Sequence, residues 1–180
     1  MREVRKSGRI GNGRNLGARP RAILTDLDEA VRLAVRFLAP QDRTAAQVDR
    51  FLQSRGVASS HIEPAIRRLT DLRYLDDLGF AQRWVEKRLA AKPMGQERLN
   101  AELKAKGISD DVADRVLTEV FRGYGEEVFA SRAVQALSRQ GKRLTPAYMA
   151  RFLHQRGFSD EVIDRMMMEF KRSEGTVDDE

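Results

Sequence analysis

Three copies of one short pattern restrict this chain more than any other feature. Arg55-Gly56-Val57, Lys106-Gly107-Ile108 and Arg156-Gly157-Phe158 share the form basic, glycine, apolar, and their glycines lie 51 and 50 residues apart. Leu52, Leu103 and Leu153 stand four residues before each glycine, and Val48, Leu99 and Met149 stand eight before. That spacing puts two apolar side chains on one face of a helix. Twelve before stand Thr44, Gly95 and Thr145, each an acceptable N-cap, and Pro146 follows Thr145 as a first-turn proline should. Each glycine can take the left-handed conformation that stops a helix. Ser60, Ser109 and Ser159 then precede a further apolar-periodic stretch. The expectation is an all-α chain of three tandem three-helix repeats, the period of a helical array. The units would span 26–75, 76–122 and 123–172 and share surface with their neighbours in an elongated, curved array.

Local signals fill in the elements. Thr25-x-x-Asp28 is a capping pattern before Leu27, Ala30, Val31, Ala34, Val35 and Leu38, and Pro40 ends that helix. Thr44-x-x-Gln47 and Ser60-x-x-Glu63 read as two further capping boxes, with Pro64 in the first turn of the third helix. Asp76 or Asp77 can cap the next helix, with Phe80, Trp84 and Leu89 on or near one face. Tyr74 and Leu75 sit where an apolar residue staples onto the first turn. The links at Tyr74–Asp77 and Gly123–Gly125 join the units, and the two glycines around Tyr124 make the second the more bendable. Phe51, Phe121, Phe152 and Phe170 fall at core positions, and Trp84 reads as core before stacking platform. Met166-Met167-Met168 offers more apolar surface than one face can bury, which suits a soft partner contact.

Charge is unevenly placed. The net +6 resides in residues 1–22, which hold seven bases against one acid and too few apolar residues for a core. These residues read as a flexible basic arm, and 173–180 as an acidic, disordered end. Gly11-Asn12-Gly13 completes no phosphate-loop pattern. Residues 26–77 carry eight bases against nine acids, residues 78–107 seven against three, and 123–172 nine against six. The basic surface therefore belongs to the second and third repeats. Arg83, Lys87, Arg88, Lys92, Arg98, Lys104, Lys106 and Arg156 are the candidate contacts to phosphates or to an acidic protein surface. The plainer reading is a solvated helix face with pairs such as Glu102–Lys106.

Little is available for catalysis. Two histidines, His61 and His154, no cysteine and no His-x-x-x-His spacing point away from a metal or a nucleophile. Asp76–Asp77 and Asp110–Asp111 sit at predicted helix starts, where acids meet the positive end of the dipole. Neither an enzyme nor a cofactor is expected. The absence of cysteine fits a reducing cytosol, and no apolar run is long enough to span a bilayer. The second and third helices of each repeat resemble a helix-turn-helix, but Asp110, Asp111, Asp114 and Glu119 would sit poorly in a major groove.

Tyr74-Leu75-Asp76-Asp77, then Phe80-Ala81 and Lys106-Gly107-Ile108, resembles the RecX regulators of the RecA recombinase over roughly residues 26–170. The resemblance implies a regulator in DNA repair, recombination and the SOS response. It would lie in the groove of the RecA–single-stranded-DNA filament, bridge subunits, and restrain ATP hydrolysis and strand exchange. It also implies that single- or double-stranded DNA can touch the basic patches and the arm. A monomer suffices for such a role. Family first repeats often carry a Ser-x-x-Glu-Leu cap where this chain has Thr44-Ala-Ala-Gln47-Val48, and the arm has no dependable counterpart. A sequence-independent nucleic-acid-binding module acting without RecA is the alternative, and a scaffold for some other protein a third possibility.

Overall fold

The computed structural model describes residues 26–139, 141 and 144–175; the basic arm, Thr25 and residues 176–180 lie outside them. Every regular element among the described residues is a helix: α1 Leu27–Leu38, α2 Ala45–Ser54, α3 Ser59–Asp71, α4 Asp77–Ala91, α5 Gln96–Ala105, α6 Asp110–Tyr124, α7 Glu126–Ser138, α8 Pro146–Gln155 and α9 Asp160–Gly175. They group in threes. Helices α1, α2 and α3 pack on one another; α4 and α5 both pack on α6, and α7 and α8 on α9.

The recurring motif does what its spacing requires. Thr44, Gly95 and Thr145 are the N-caps of α2, α5 and α8. Val48, Leu52, Leu99, Leu103, Met149 and Leu153 are all buried. Gly56, Gly107 and Gly157 have φ of 80°, 82° and 72°. At each stop the residue after the glycine bonds back to the leucine carbonyl, as Val57 N does to Leu52 O at 3.1 Å, closing a Schellman turn.

A fourth turn of this kind ends α3, where Tyr74 N reaches Leu69 O at 2.9 Å and Arg73 N reaches Thr70 O at 3.0 Å. There Arg73 holds φ 62°, the single non-glycine residue with positive φ among those described. For an L side chain that conformation costs about 1 kcal/mol.

Several local expectations are corrected. Asp26, not Thr25, caps α1, accepting from Asp28 N at 2.9 Å. No side chain caps α3; it begins at Ser59, so Ser60 lies inside it and Pro64 falls in its second turn. Asp76 is the cap of α4. Leu75 does not staple α4; it is buried in the first unit's core, while Tyr74 is 55% exposed. Of the four phenylalanines expected in the core, Phe121 is buried and Phe51, Phe152 and Phe170 are half-buried. Met166 is buried and Met168 is 67% exposed. The last helix continues to Gly175, past the expected boundary at 172.

Two cores result. Nine buried residues, from Ala30 to Leu75, fill the first unit alone. Nineteen, from Ala81 to Met166, form one core common to the second and third units. The link expected to bend most is spanned by that common core: only Gly125 separates α6 from α7, and Phe121 meets Phe129 edge-on at 5.4 Å.

Candidate functional site

The joints between units place the charged side chains. A helix start leaves its first amides without partners inside the helix. In α2 and α5 the following unit supplies them. Asp77, the first residue of α4, accepts from Ala45 N at 2.9 Å, and Glu126, the first residue of α7, accepts from Gln96 N at 2.8 Å. Thr44 Oγ1 donates to Lys106 O at 2.7 Å, while Gly95 N donates to Arg156 O at 2.9 Å and Glu97 N to Gly157 O at 3.2 Å. The stop of each later unit therefore rests on the second helix of the unit before it. Thr44 is fully buried by this contact, and Gly95 is a sufficient cap because unit three provides the acceptors. Sequence spacing located the caps and the stops but not their meeting. Its only trace is an acid at Asp77 and Glu126, one at the head of each later unit.

The eight candidate cations do not form one patch. Arg83 pairs with Asp42 across the first joint at 2.7 Å, whereas the Lys106 side chain stays within the second unit, its Nζ 3.7 Å from the centre of the Trp84 ring. Lys104 pairs with Asp110 at 3.0 Å. Lys87 is exposed and makes no ion pair among the described residues. Arg88, Lys92, Arg98 and Arg156 line one cleft of about 580 Å³ at the second joint, with Met94, Phe152 and Gln155. The expected helical patch Lys87–Arg88–Lys92 is thus divided, with Arg88 and Lys92 in the cleft. The expected Glu102–Lys106 pair gives way to Glu102 with Arg88 and Arg98.

The cleft is held open by anchored guanidinium groups. Arg88 binds Glu102 in a two-pronged pair at 2.7 and 2.6 Å. Arg98 donates to Gln155 O at 3.0 Å, and Arg156 donates to Pro93 O at 2.8 Å while lying 4.4 Å from the Phe152 ring centre. The Arg88 hydrogen bonds hold the Glu102 carboxyl below its ordinary range, against the opposing pull of burial. Burial, then the neighbouring Arg98 charge, pushes the Arg156 guanidinium down, though it stays a cation at neutral pH. Of the four cations, Arg88 and Arg98 share the Glu102 carboxylate, and Lys92 and Arg156 have no acidic partner among the described residues.

The chemistry on offer in such a cleft suits an anion. Guanidinium forks suit the planar, two-oxygen edge of a phosphate or carboxylate. Among the described residues no three His, Asp or Glu side chains gather to hold a metal ion, and no helix is long and apolar enough to cross a membrane. His61 lies in the first turn of α3 and His154 in the last turn of α8.

Comparison with known proteins agrees with this architecture. A family model described as RecX, second three-helix domain, matches residues 76–117, from the Asp76 cap into α6. The solved structure of RecX from Lactobacillus salivarius superposes with a TM-score of 0.71 at 21% identity, covering 81% of this chain and 96% of that one, a likeness of fold. The regulatory protein RecX of Mycobacterium leprae (strain Br4923) is 34% identical over 150 residues, which are 80% of this chain and 87% of the relative. That of Treponema pallidum (strain Nichols) is 32% identical over 139 residues, 77% and 84% of the respective chains. With relatives this similar matched along most of their length, and with the helical triplets in series, the chain belongs to the RecX family of regulatory proteins.

Proposed function

We propose that this chain is a negative regulator of the RecA recombinase in the cytoplasm, binding along the groove of the RecA–single-stranded-DNA filament and slowing its ATP hydrolysis and strand exchange. Family membership supports the partner. The observation that carries the contact is the cleft lined by Arg88, Lys92, Arg98 and Arg156, a preorganised anion seat between the two units that share one core. Contacts from units in series add through effective concentration, so that no single one has to be strong. The chain works as a monomer. At the first joint Asp77 meets an amide, but α8 begins with Pro146, which has no amide hydrogen to offer a further unit.

The test is DNA-dependent ATP hydrolysis by the cognate recombinase. The full chain slows it at substoichiometric amounts; unaltered hydrolysis at saturation overturns the reading. Lys92→Glu breaks no described contact and should raise the half-inhibitory concentration roughly tenfold. A second reading, a sequence-independent nucleic-acid module acting without RecA, draws on the same four cations, since phosphates fit them too. Bare-DNA affinity that accounts for all inhibition and falls steeply with salt would favour it.

A further inference from the structure

The end of α3 exposes side chains that neither the basic cleft nor the core explains. Residues 71–74 are all exposed, with Leu72 and Tyr74 each 55% accessible, although both are large and apolar. Between them stands Arg73 in the left-handed conformation, at φ 62°. The three like turns at Gly56, Gly107 and Gly157 use the residue suited to that geometry. At the fourth, an arginine is held in a backbone conformation that works against it. The turn's backbone bonds from Arg73 N and Tyr74 N need the left-handed backbone but not an arginine, and the Arg73 side chain makes no ion pair and no hydrogen bond among the described residues.

Arg73 and Tyr74 border a hollow of about 200 Å³ at the joint of the first two units, with Arg43 and Arg83 beside them. The two acids of that hollow are engaged: Asp42 pairs with Arg83, and Asp76 caps α4 by accepting from Gly79 N at 3.0 Å. Arg43 lies over the Phe37 ring at 4.3 Å. The charge left to offer is therefore cationic, and it is set beside two apolar side chains. We infer that Leu72, Arg73 and Tyr74 form a protein-docking hot spot for a surface presenting a carboxylate next to an apolar side chain. Tyr and Arg are the residue types that dominate such contacts. A nucleic acid fits less well, because the exposed aliphatic Leu72 gives a phosphate nothing to bind and has no flat face for a base to stack on. If the RecA reading above holds, on which the choice of partner rests, the occupant is the surface of a RecA subunit.

Arg73→Gly separates this role from a structural one, because relief of the backbone should make the chain more stable while it loses the contact. The full chain, Arg73→Gly, Arg73→Lys and Tyr74→Ala are compared by thermal melting, by binding to cognate RecA assembled on single-stranded DNA, and by binding to the bare strand. Arg73→Gly should melt about 2–6 °C higher yet bind the filament roughly tenfold or more weakly. Tyr74→Ala should weaken filament binding likewise. Arg73→Lys keeps the charge and the strained backbone and should show an intermediate loss with unchanged melting. Affinity for the bare strand should not move. If the unaltered chain binds the filament and Arg73→Gly and Tyr74→Ala bind as well, the inference falls alone. If filament and bare-strand affinities drop together, the ligand is the nucleic acid and the inference is overturned. If the unaltered chain does not bind the filament, the RecA reading falls and takes this one with it.

Discussion

Asp77 and Glu102 are both half-buried carboxylates that accept hydrogen bonds, yet their titrations pull in opposite directions. Burial pushes the Asp77 carboxyl up; the bond from Ala45 N lowers it less, and the adjacent Asp76 adds a further rise. Glu102 is held down, chiefly by Arg88. A raised carboxyl favours folding in its protonated form, so its contribution is complete below the ordinary carboxylate range and is lost as pH rises through the raised value. A lowered one contributes above that range and loses its effect as pH falls through the depressed value. Asp77→Asn keeps an acceptor for Ala45 N without the buried charge, and should equal or exceed the parent in stability at pH 7. Any gain should shrink in acid. Asp77→Ala leaves that amide unmet and should cost about 1 kcal/mol. Glu102→Gln gives up the charged pair and should cost about 1–2 kcal/mol at pH 7, a deficit that narrows on acidification. Urea unfolding of the three variants at pH 7 and pH 4 reads all of this. A Glu102→Gln deficit that widens in acid would contradict the assignment of the carboxylate as the depressed partner.

The helix stops are also the surfaces on which units meet. A Cβ at Gly157 would lie 2.5 Å from Arg98 N, and one at Gly95 2.0 Å from Gly157 O. Both clashes are with backbone, so neither can be relieved by turning a side chain. Gly141 has a similar φ of 71° but nothing within 4 Å. Gly157→Ala should therefore cost about 3 kcal/mol or more, conformation and overlap together, whereas Gly141→Ala should cost about 1 kcal/mol from conformation alone. Chemical denaturation distinguishes the two. This difference also marks what could be read from the sequence. The period of the glycines, the leucines four residues before them and the caps at Thr44, Gly95 and Thr145 are local signals, so the helices and their order were legible. The contact of Gly157 with Arg98 joins residues far apart in the chain, and no local pattern specifies it. The same is true of the cleft. Arg88, Lys92, Arg98 and Arg156 were identifiable as cations in basic stretches, but their convergence depends on how the third unit seats on the second. Arg73 carried no signal at all, because its left-handed backbone replaces the glycine that would have announced the turn.

At the scale of the whole molecule, the two joints differ in kind. The second is continuous with the larger core, and opening it would expose Phe121, Phe129 and the apolar faces of α6 and α7 to water. The first is made of polar contacts: Thr44 with Lys106 O, Asp77 with Ala45 N, and Arg83 with Asp42. Opening the first joint exchanges hydrogen bonds for water and uncovers little apolar surface, which makes it the place where the array can change its angle to follow a polymer. The first unit must then stand on nine buried residues of its own, and a core of that size supplies roughly 3–5 kcal/mol. Native-state amide exchange should show the amides of α1–α3 opening together at about that free energy, and those of α4–α9 opening together at a higher one. Thr44→Val removes the cap and the bond to Lys106 O at once, so it should speed exchange throughout α1–α3 and leave α5, α6 and α9 unchanged. A single opening free energy across all nine helices would mean that the first joint transmits stability as fully as the second. In that case the polar contacts, and not the division of the core, would set how the units move.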